Sequence, residues 1–176
     1  MRLAHSSFQR LLLLISALFL LLFIASACEQ KVVVIGIAEP DQSASTLSLR
    51  DGFLEVLKEG GYKAGENLRV QRRDSTFRKQ SQQQSVTELI DQEHSELVFV
   101  MGQDGLAAAL AAKAAVPVVF AGCQPCAHTT HPANVTGAAM AAENSDLHAN
   151  GRQAGALALR IIKGEKPSAV PVVVTP

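Results

Sequence analysis

The chain has 176 residues, about one domain's worth, with 16 basic and 16 acidic residues and a formal net charge of zero. It has no tryptophan and one tyrosine, and its basic residues form no cluster. A nucleic-acid-binding role is excluded on these grounds, since neither a basic patch nor a set of aromatic stacking side chains is present.

The N-terminal segment has the three parts of a secretory signal peptide. Arg2 and Arg10 give a basic start without acidic residues, residues 11–24 are apolar almost throughout, and small residues follow at 25–27. The apolar stretch is shorter than the roughly 20 residues of a membrane-spanning helix, which favours a signal peptide over the alternative, an uncleaved anchor. We therefore expect a lipoprotein signal peptide over residues 1–27.

Cys28 directly follows the small residues, and residues 24–28 resemble a bacterial lipobox, whose cysteine takes a diacylglycerol. The alternative is ordinary cleavage after Ala27, with Cys28 incidental. We expect Cys28 to be lipidated and residues 28–30 to form a short tether. Acyl chains contribute about 0.8 kcal/mol per buried CH₂, so they would hold the protein on a membrane surface outside the cytoplasm, in the periplasm of a Gram-negative cell.

Strand and helix patterns alternate along the mature chain. Apolar runs without polar alternation favour strands buried on both faces of a parallel sheet. The predicted strands are residues 31–38, 67–73, 96–101, 117–121 and 135–140, with a short extended piece at 170–174. Helical periodicity predicts helices around residues 49–60, 79–90, 106–115 and 151–162. The pattern predicts an α/β fold, a three-layer αβα arrangement around a mostly parallel sheet of about five strands.

In such sheets ligands bind outside the carboxyl ends of the strands, here the loops at residues 39–45, 102–105 (a predicted turn) and 122–128. The candidate ligand-binding residues in these loops are Glu39, Asp41, Ser43, Ser45, Gln103, Asp104 and Gln124. Serine hydroxyls and free backbone amides at the start of a helix can donate hydrogen bonds to a ligand carboxylate. The alternative is that Ser45 or Thr46, and likewise Asp104, only cap helices.

A spaced set of short segments runs through the first part of the mature chain: residues 31–40, 50–53, 61–67, 96–102, 116–120 and 134–137. In this order they resemble the first lobe of a type I periplasmic substrate-binding protein of ABC importers, in particular the family linked to tryptophan and tyrosine uptake. Gly61 and Gly65 bracket a tight helix-to-strand loop, as the flexibility of glycine allows.

The late helix also resembles this family, in residues 151–167. In the family a second lobe, on the order of 100 residues, separates this helix from the segment at 134–137, whereas only about a dozen residues do so here. We therefore expect residues 31–176 to form a single lobe. Its parts are a core at 31–140, a junction at 141–150 where the second lobe is missing, and a returning helix and tail at 151–176.

The resemblance implies a lipid-anchored solute-binding component of an ABC-type importer, which is not an enzyme and needs no cofactor. Its expected partners are a small organic solute such as an aromatic amino acid, an ABC permease, and the membrane that holds the anchor. Such receptors close two lobes about a hinge, so a single lobe is expected to bind weakly. The alternatives are an exported redox or metal-handling protein and a deletion remnant that binds nothing.

The alternative chemistry depends on one cluster, formed by Cys123, Cys126, His128 and His131. A disulfide between the two cysteines suits an oxidising compartment, while the same residues also suit redox catalysis or a zinc or copper site. The residues after Cys126 show no helical periodicity, so no helix start is predicted here that would lower a thiolate pKa, which counts against redox catalysis. The spacing of the two cysteines and two histidines is too short for a common zinc finger, which counts against a metal site. We expect Cys123 and Cys126 to form a structural disulfide or to remain as paired thiols, and we expect no metal. The sequence contains no P-loop, dinucleotide-binding glycine motif or nucleophile elbow.

Overall fold

The computed structural model describes residues 31–124, 126, 131–141 and 146–175. Within them a six-stranded sheet has the order β2-β1-β3-β4-β5-β6, and every neighbouring pair is parallel. The strands are β1 (Val33–Glu39), β2 (Leu68–Asp74), β3 (Leu97–Met101), β4 (Val118–Cys123), β5 (Val135–Met140) and β6 (Val173–Thr175). The predicted parallel sheet is confirmed, but it has six strands rather than about five, because the short extended piece at the end of the chain pairs with β5.

Helices cover both faces of this sheet. They are α1 (Ala44–Glu59), α2 (Ser75–Arg78), α3 (Gln82–Asp91), α4 (Gly102–Ala111) and α5 (Leu147–Ile162), followed by a 3₁₀ turn at Pro167–Ala169. The apolar side chains of α1 and α5 share one core with the sheet, and those of α3 and α4 share a second core on the opposite face. The three-layer αβα arrangement is thereby confirmed.

The described residues form two hydrophobic cores, one on each face of the sheet. On the first face Phe53 of α1 stacks on Phe99 of β3, with ring centroids 4.0 Å apart. The described members of both cores lie between Val33 and Val173. This part of the chain therefore has a core of its own, as an independently folding domain does. None of its described helices combines the length and apolarity needed to cross a bilayer.

Helices α1 and α5 approach each other through glycine. A Cβ added to Gly52 of α1 would lie 2.2 Å from the carbonyl oxygen of His148, and one added to Gly151 of α5 would lie 2.1 Å from that of Leu49. The two backbones are therefore in direct contact at these positions, and no larger residue fits without separating the helices.

One helical connection has the opposite hand from the others. The chain moves in the same direction across the sheet from β3 to β4 and from β5 to β6, yet α4 and α5 lie on opposite faces. The crossover connections through α1 and α3 have the same handedness as the connection through α4. Among the described connections, only the one through α5 therefore has the reversed handedness. About 98% of such crossovers in proteins share the right-handed form.

Two predicted element boundaries directly after β3 are wrong. Residues 102–105, predicted as a turn, form the first turn of α4, and the helix predicted at 106–115 occupies Gly102–Ala111 instead. The helix follows β3 without a separate loop because Gly102 adopts a positive φ of 72°, which turns the backbone at once.

Candidate functional site

The carboxyl ends of β1 and β3 lie side by side in the sheet. The chain leaves β1 toward β2 on one side and leaves β3 toward β4 on the other. This is the topological switch point at which open parallel sheets bind ligands. The polar groups along this edge, from β2 through β1 to β4, are therefore the candidate ligand contacts.

Glu39, the last residue of β1, has no exposed surface, and its carboxylate is held by several polar side chains of this edge. Arg72 of β2 donates from Nε to Oε1 at 2.9 Å and from Nη2 to Oε2 at 2.8 Å. Gln42 donates to Oε2 at 2.9 Å, and Arg50 of α1 lies 3.5 Å from Oε1. This bidentate pair stabilises both charges, and hydrogen bonding to Glu39 raises the pKa of Arg72. The acceptor sites of Glu39 are thus filled by the protein itself.

Beside this pair an open cavity of about 480 Å³ extends to the end of β2. Asp74, the last residue of β2, caps the short helix α2 by accepting from the Phe77 amide at 2.9 Å. The Phe77 ring is 85% exposed at the cavity. Arg78 also lines it, and its Nη2 lies 3.8 Å from Glu88, a long ion pair. The cavity therefore combines guanidinium donors, a carboxylate and an unburied aromatic ring.

In the predicted 39–45 loop, Ser43 rather than Ser45 or Thr46 caps α1, which corrects the sequence prediction. The Ser43 hydroxyl accepts from the Thr46 amide at 3.3 Å, and Asp41 accepts from the Ser43 amide at 2.9 Å and the Thr46 hydroxyl at 2.7 Å. These bonds, chiefly those from Ser43, lower the pKa of Asp41. Ser45 lies exposed in the first turn of α1. The loop is thus largely occupied by capping the helix.

Gln103 and Asp104 both lie exposed in the first turn of α4, after β3. The cap position of α4 is Met101, without a side-chain hydrogen bond, so the alternative prediction that Asp104 caps the helix is wrong. Since β1 separates β3 from β2, these two residues and the Arg72 cavity occupy different sides of the β1 end. The cavity beside Arg72 is lined by Glu39 but by none of the other predicted ligand-binding residues.

Gln124 is exposed just beyond β4, at a turn that is held by a residue the sequence analysis did not identify. Asn150 of α5 is fully buried, and its Oδ1 accepts from the Gly122 amide at 2.7 Å while its Nδ2 donates to the Ala139 carbonyl at 3.2 Å. Gly122 has a φ of 71° at the irregularity that ends the regular pairing of β4 with β5. Asn150 therefore fixes the ends of both strands.

Cys123 and Cys126 are paired as a disulfide, with Cα atoms 5.6 Å apart, and both are buried. The ring of His131 lies against Phe120, and its Nε2 is 2.9 Å from the Cys126 carbonyl oxygen. His128 lies outside the described residues, as does Cys28. Across the described part of the chain, no three metal-ligating side chains converge on one point.

The residues that sequence reasoning missed are Arg72, Asp74, Phe77 and Arg78 at the end of β2. A usable signal existed, because Arg72 continues the alternation of Leu68 and Val70 and so faces the same side of the sheet. A charge on that apolar face, at the carboxyl end of a parallel strand, requires a partner. Its partner, Glu39, belongs to another strand and became evident only in the fold.

No protein-family model matches this chain, and no curated protein matches it. Solved structures do. The ligand-free, open structure of CD0873, a substrate-binding protein with adhesive properties from Clostridium difficile, has a TM-score of 0.54 at 23% identity, covering 61% of this chain and 39% of that one. A conserved domain protein from Vibrio cholerae has a TM-score of 0.54 at 18% identity, covering 82% of this chain and 57% of that one.

A third structure, an ABC domain in complex with L-Trp from Streptococcus pneumonia, has a TM-score of 0.67 at 13% identity and covers 82% of this chain and 89% of that one. The chain spans only 39% of CD0873 and 57% of the Vibrio protein. At these identities the similarity shows the fold. The chain has the α/β fold of the first lobe of type I periplasmic binding proteins.

Proposed function

We propose that this chain is the solute-binding component of an ABC-type importer, exported and held at the membrane through lipidated Cys28. It takes a small organic solute, such as an amino acid, at the carboxyl edge of the sheet. The observation that carries the proposal is the cavity of about 480 Å³ beside the buried Glu39–Arg72 pair. Cavities of this size suit small ligands.

The free groups of the cavity suit a solute that carries both charges. Glu39 is saturated by Arg72, Gln42 and Arg50, so it offers nothing to a ligand. What remains is the outer edge of the Arg72 guanidinium, the weakly paired Arg78, and the second carboxylate oxygen of Asp74. Guanidinium groups bind carboxylates and a carboxylate binds an ammonium group. An amino acid supplies both.

The exposed ring of Phe77 supports an apolar or aromatic solute side chain, since aromatic rings pack in offset stacks or edge to face. One of the similar solved structures, a complex with L-Trp, supports this class of ligand. Another is described as a substrate-binding protein, without a named ligand.

The reversed crossover through α5 supports the lobe interpretation. In two-lobed relatives a second lobe lies between the segments that correspond to β5 and α5, so there α5 does not return directly from β5. In this chain the same strand and helix follow each other closely, and the rare hand results. A single lobe contacts one side of a solute, so we expect weaker binding than in a closed two-lobed receptor.

The test is calorimetric titration of the full chain in phosphatidylcholine nanodiscs with the twenty amino acids, with empty nanodiscs as the blank. An amino acid that binds should also raise the melting temperature by mass action. Phe77→Ala and Arg78→Gln should weaken that binding, whereas Arg69→Gln, at an exposed arginine of β2 outside the cavity, should not. If no amino acid gives heat or a melting shift, the proposed solute class is wrong.

The anchor and the importer role have separate tests. Incorporation of an alkyne-labelled fatty acid should be lost in Cys28→Ser. Cellular uptake of the bound amino acid should fall when the chain is deleted and recover when it is restored. Uptake that is unchanged by the deletion would contradict the importer role.

A further inference from the structure

A second cavity, of about 490 Å³, lies beside the edge strand β2 and away from its carboxyl end. We call it the β2 groove. Its walls are Leu54 and Lys58 of α1, Tyr62 and Ala64 of the following loop, and Leu68 and Val70 of β2. Nothing in the proposed solute site uses these residues, although Arg72 lines both cavities.

The groove exists because α1 does not cover the edge of the sheet. Phe53 places α1 over β3, and the glycine contact with α5 holds it there. Since β2 is two strands away from β3, its apolar face extends beyond the helix. Leu68 is buried, but Val70, Leu54 and Tyr62 are only partly buried although they pack against the core.

The loop that closes the groove is held in place by hydrogen bonds. Asn67 accepts from the Lys63 amide at 2.8 Å and donates to the Gly61 carbonyl at 2.9 Å. The Gly65 amide donates to the Leu68 carbonyl at 3.0 Å. Gly61 and Gly65 have φ values of 93° and 84°, which other residues rarely adopt. The groove is thus preformed, so a ligand need not order the loop.

The rim of the groove carries more positively charged than negatively charged side chains. Three cations and one carboxylate line the groove. Lys63 lies 3.6 Å from Glu66, and Arg72 is bound to Glu39. Lys58 forms no ion pair among the described residues and is exposed at the end of α1. The groove therefore presents an apolar interior, and Lys58 is the one of its three cations without an ion-pair partner among the described residues.

We propose that the β2 groove binds a soluble amphipathic anion, an aromatic or short aliphatic body with a single carboxylate or sulfonate directed to Lys58. The volume suits one such molecule, and the apolar walls gain free energy by excluding water from its body. This site shares Arg72 with the amino-acid site at the carboxyl edge but no other lining residue, so either can exist without the other.

The probe for this site is naphthalene-2-sulfonate, whose charge does not depend on pH. It is titrated calorimetrically into the full chain in phosphatidylcholine nanodiscs, with empty nanodiscs as the blank. We expect saturable binding of one equivalent and much weaker binding of the matched cation 2-naphthylmethylammonium. Lys58→Gln should weaken the sulfonate about two- to five-fold, the range of an exposed ion pair. Lys166→Gln, at another exposed lysine, should leave it unchanged.

A filling variant locates the site. Ala64→Trp places an indole in the groove and should abolish binding, whereas Ala115→Trp, at an exposed position outside the groove, should not. Circular dichroism confirms that each variant is folded. Absence of sulfonate binding, equal binding of the cation, or full binding by folded Ala64→Trp overturns the proposal.

Discussion

The contact between α1 and α5 gives the most quantitative prediction, for Gly151→Ala. Its new Cβ would lie 2.1 Å from the Leu49 carbonyl oxygen and 2.9 Å from the Leu49 carbonyl carbon. Non-bonded atoms pack at about 3.5–4.0 Å, so the helices must separate by about 1 Å or more. Alanine normally stabilises a helix relative to glycine, and here the contact should reverse that sign.

The size of the effect follows from the side chains at this contact. Leu49, Phe53 and Val56 of α1 are buried and lie beside Gly151 and Gly155 of α5, and each contributes roughly 2 kcal/mol by burial. A gap of about 1 Å removes up to half of such contact energy, or about 3 kcal/mol. The better helix propensity of alanine returns about 1 kcal/mol. We therefore expect Gly151→Ala to lower the free energy of unfolding by about 2 kcal/mol.

The assay is urea and thermal unfolding followed by circular dichroism, in which about 2 kcal/mol corresponds to a loss of about 4–8 °C in Tm. Ala156→Gly is the matched control, because Ala156 is exposed on the same helix and loses only the propensity of about 1 kcal/mol. If Gly151→Ala is as stable as the parent, or more stable, the close approach of the helices is refuted.

Three further substitutions test the carboxyl edge by unfolding measurements. Asn150→Leu leaves the Gly122 amide without its acceptor, and we expect urea unfolding to show a loss of about 2–4 kcal/mol; a smaller loss than about 1 kcal/mol would contradict the strand-end role. Asp41→Asn should destabilise the chain near neutral pH, and because the pKa of Asp41 is lowered in the fold, this difference from the parent should vanish as the pH falls through that lowered pKa. Glu39→Gln leaves Arg72 without its anion and should cost about 1–3 kcal/mol, less than for a fully buried pair because Arg72 is half-exposed; an unchanged midpoint in urea would contradict this pairing.

The pattern of elements could be predicted because it depends on neighbours in the sequence. The apolar run of β1 and the helical spacing of Leu49, Phe53, Val56 and Leu57 fix which side chains are buried, and the structure confirms both. The end of β3 could not be predicted in the same way. The sequence predicts a turn at Gly102, whereas its positive φ leads straight into a helix.

The candidate site was predicted only as a region. The carboxyl edge follows from the strand–helix alternation, and Glu39 is indeed buried there. The predicted loop residues Asp41 and Ser43 form hydrogen bonds at the start of α1. A hydroxyl or carboxylate before a helix can cap the helix as readily as it can contact a ligand. Ligand binding by the predicted residues stays a prediction, as do the signal peptide and the lipidation of Cys28.

The sequence by itself determined the alternating α/β pattern, the parallel sheet and the edge at which a ligand would bind, because side-chain periodicity is a local property of the chain. Only the tertiary structure decided which charges meet. Glu39 and Arg72 are 33 positions apart, and they pair because β1 and β2 are neighbours in the sheet. The reversed crossover through α5 and the β2 groove likewise depend on where helices lie over the sheet. That placement is set by long-range packing, here by the contact of α1 with α5, and no local pattern encodes it.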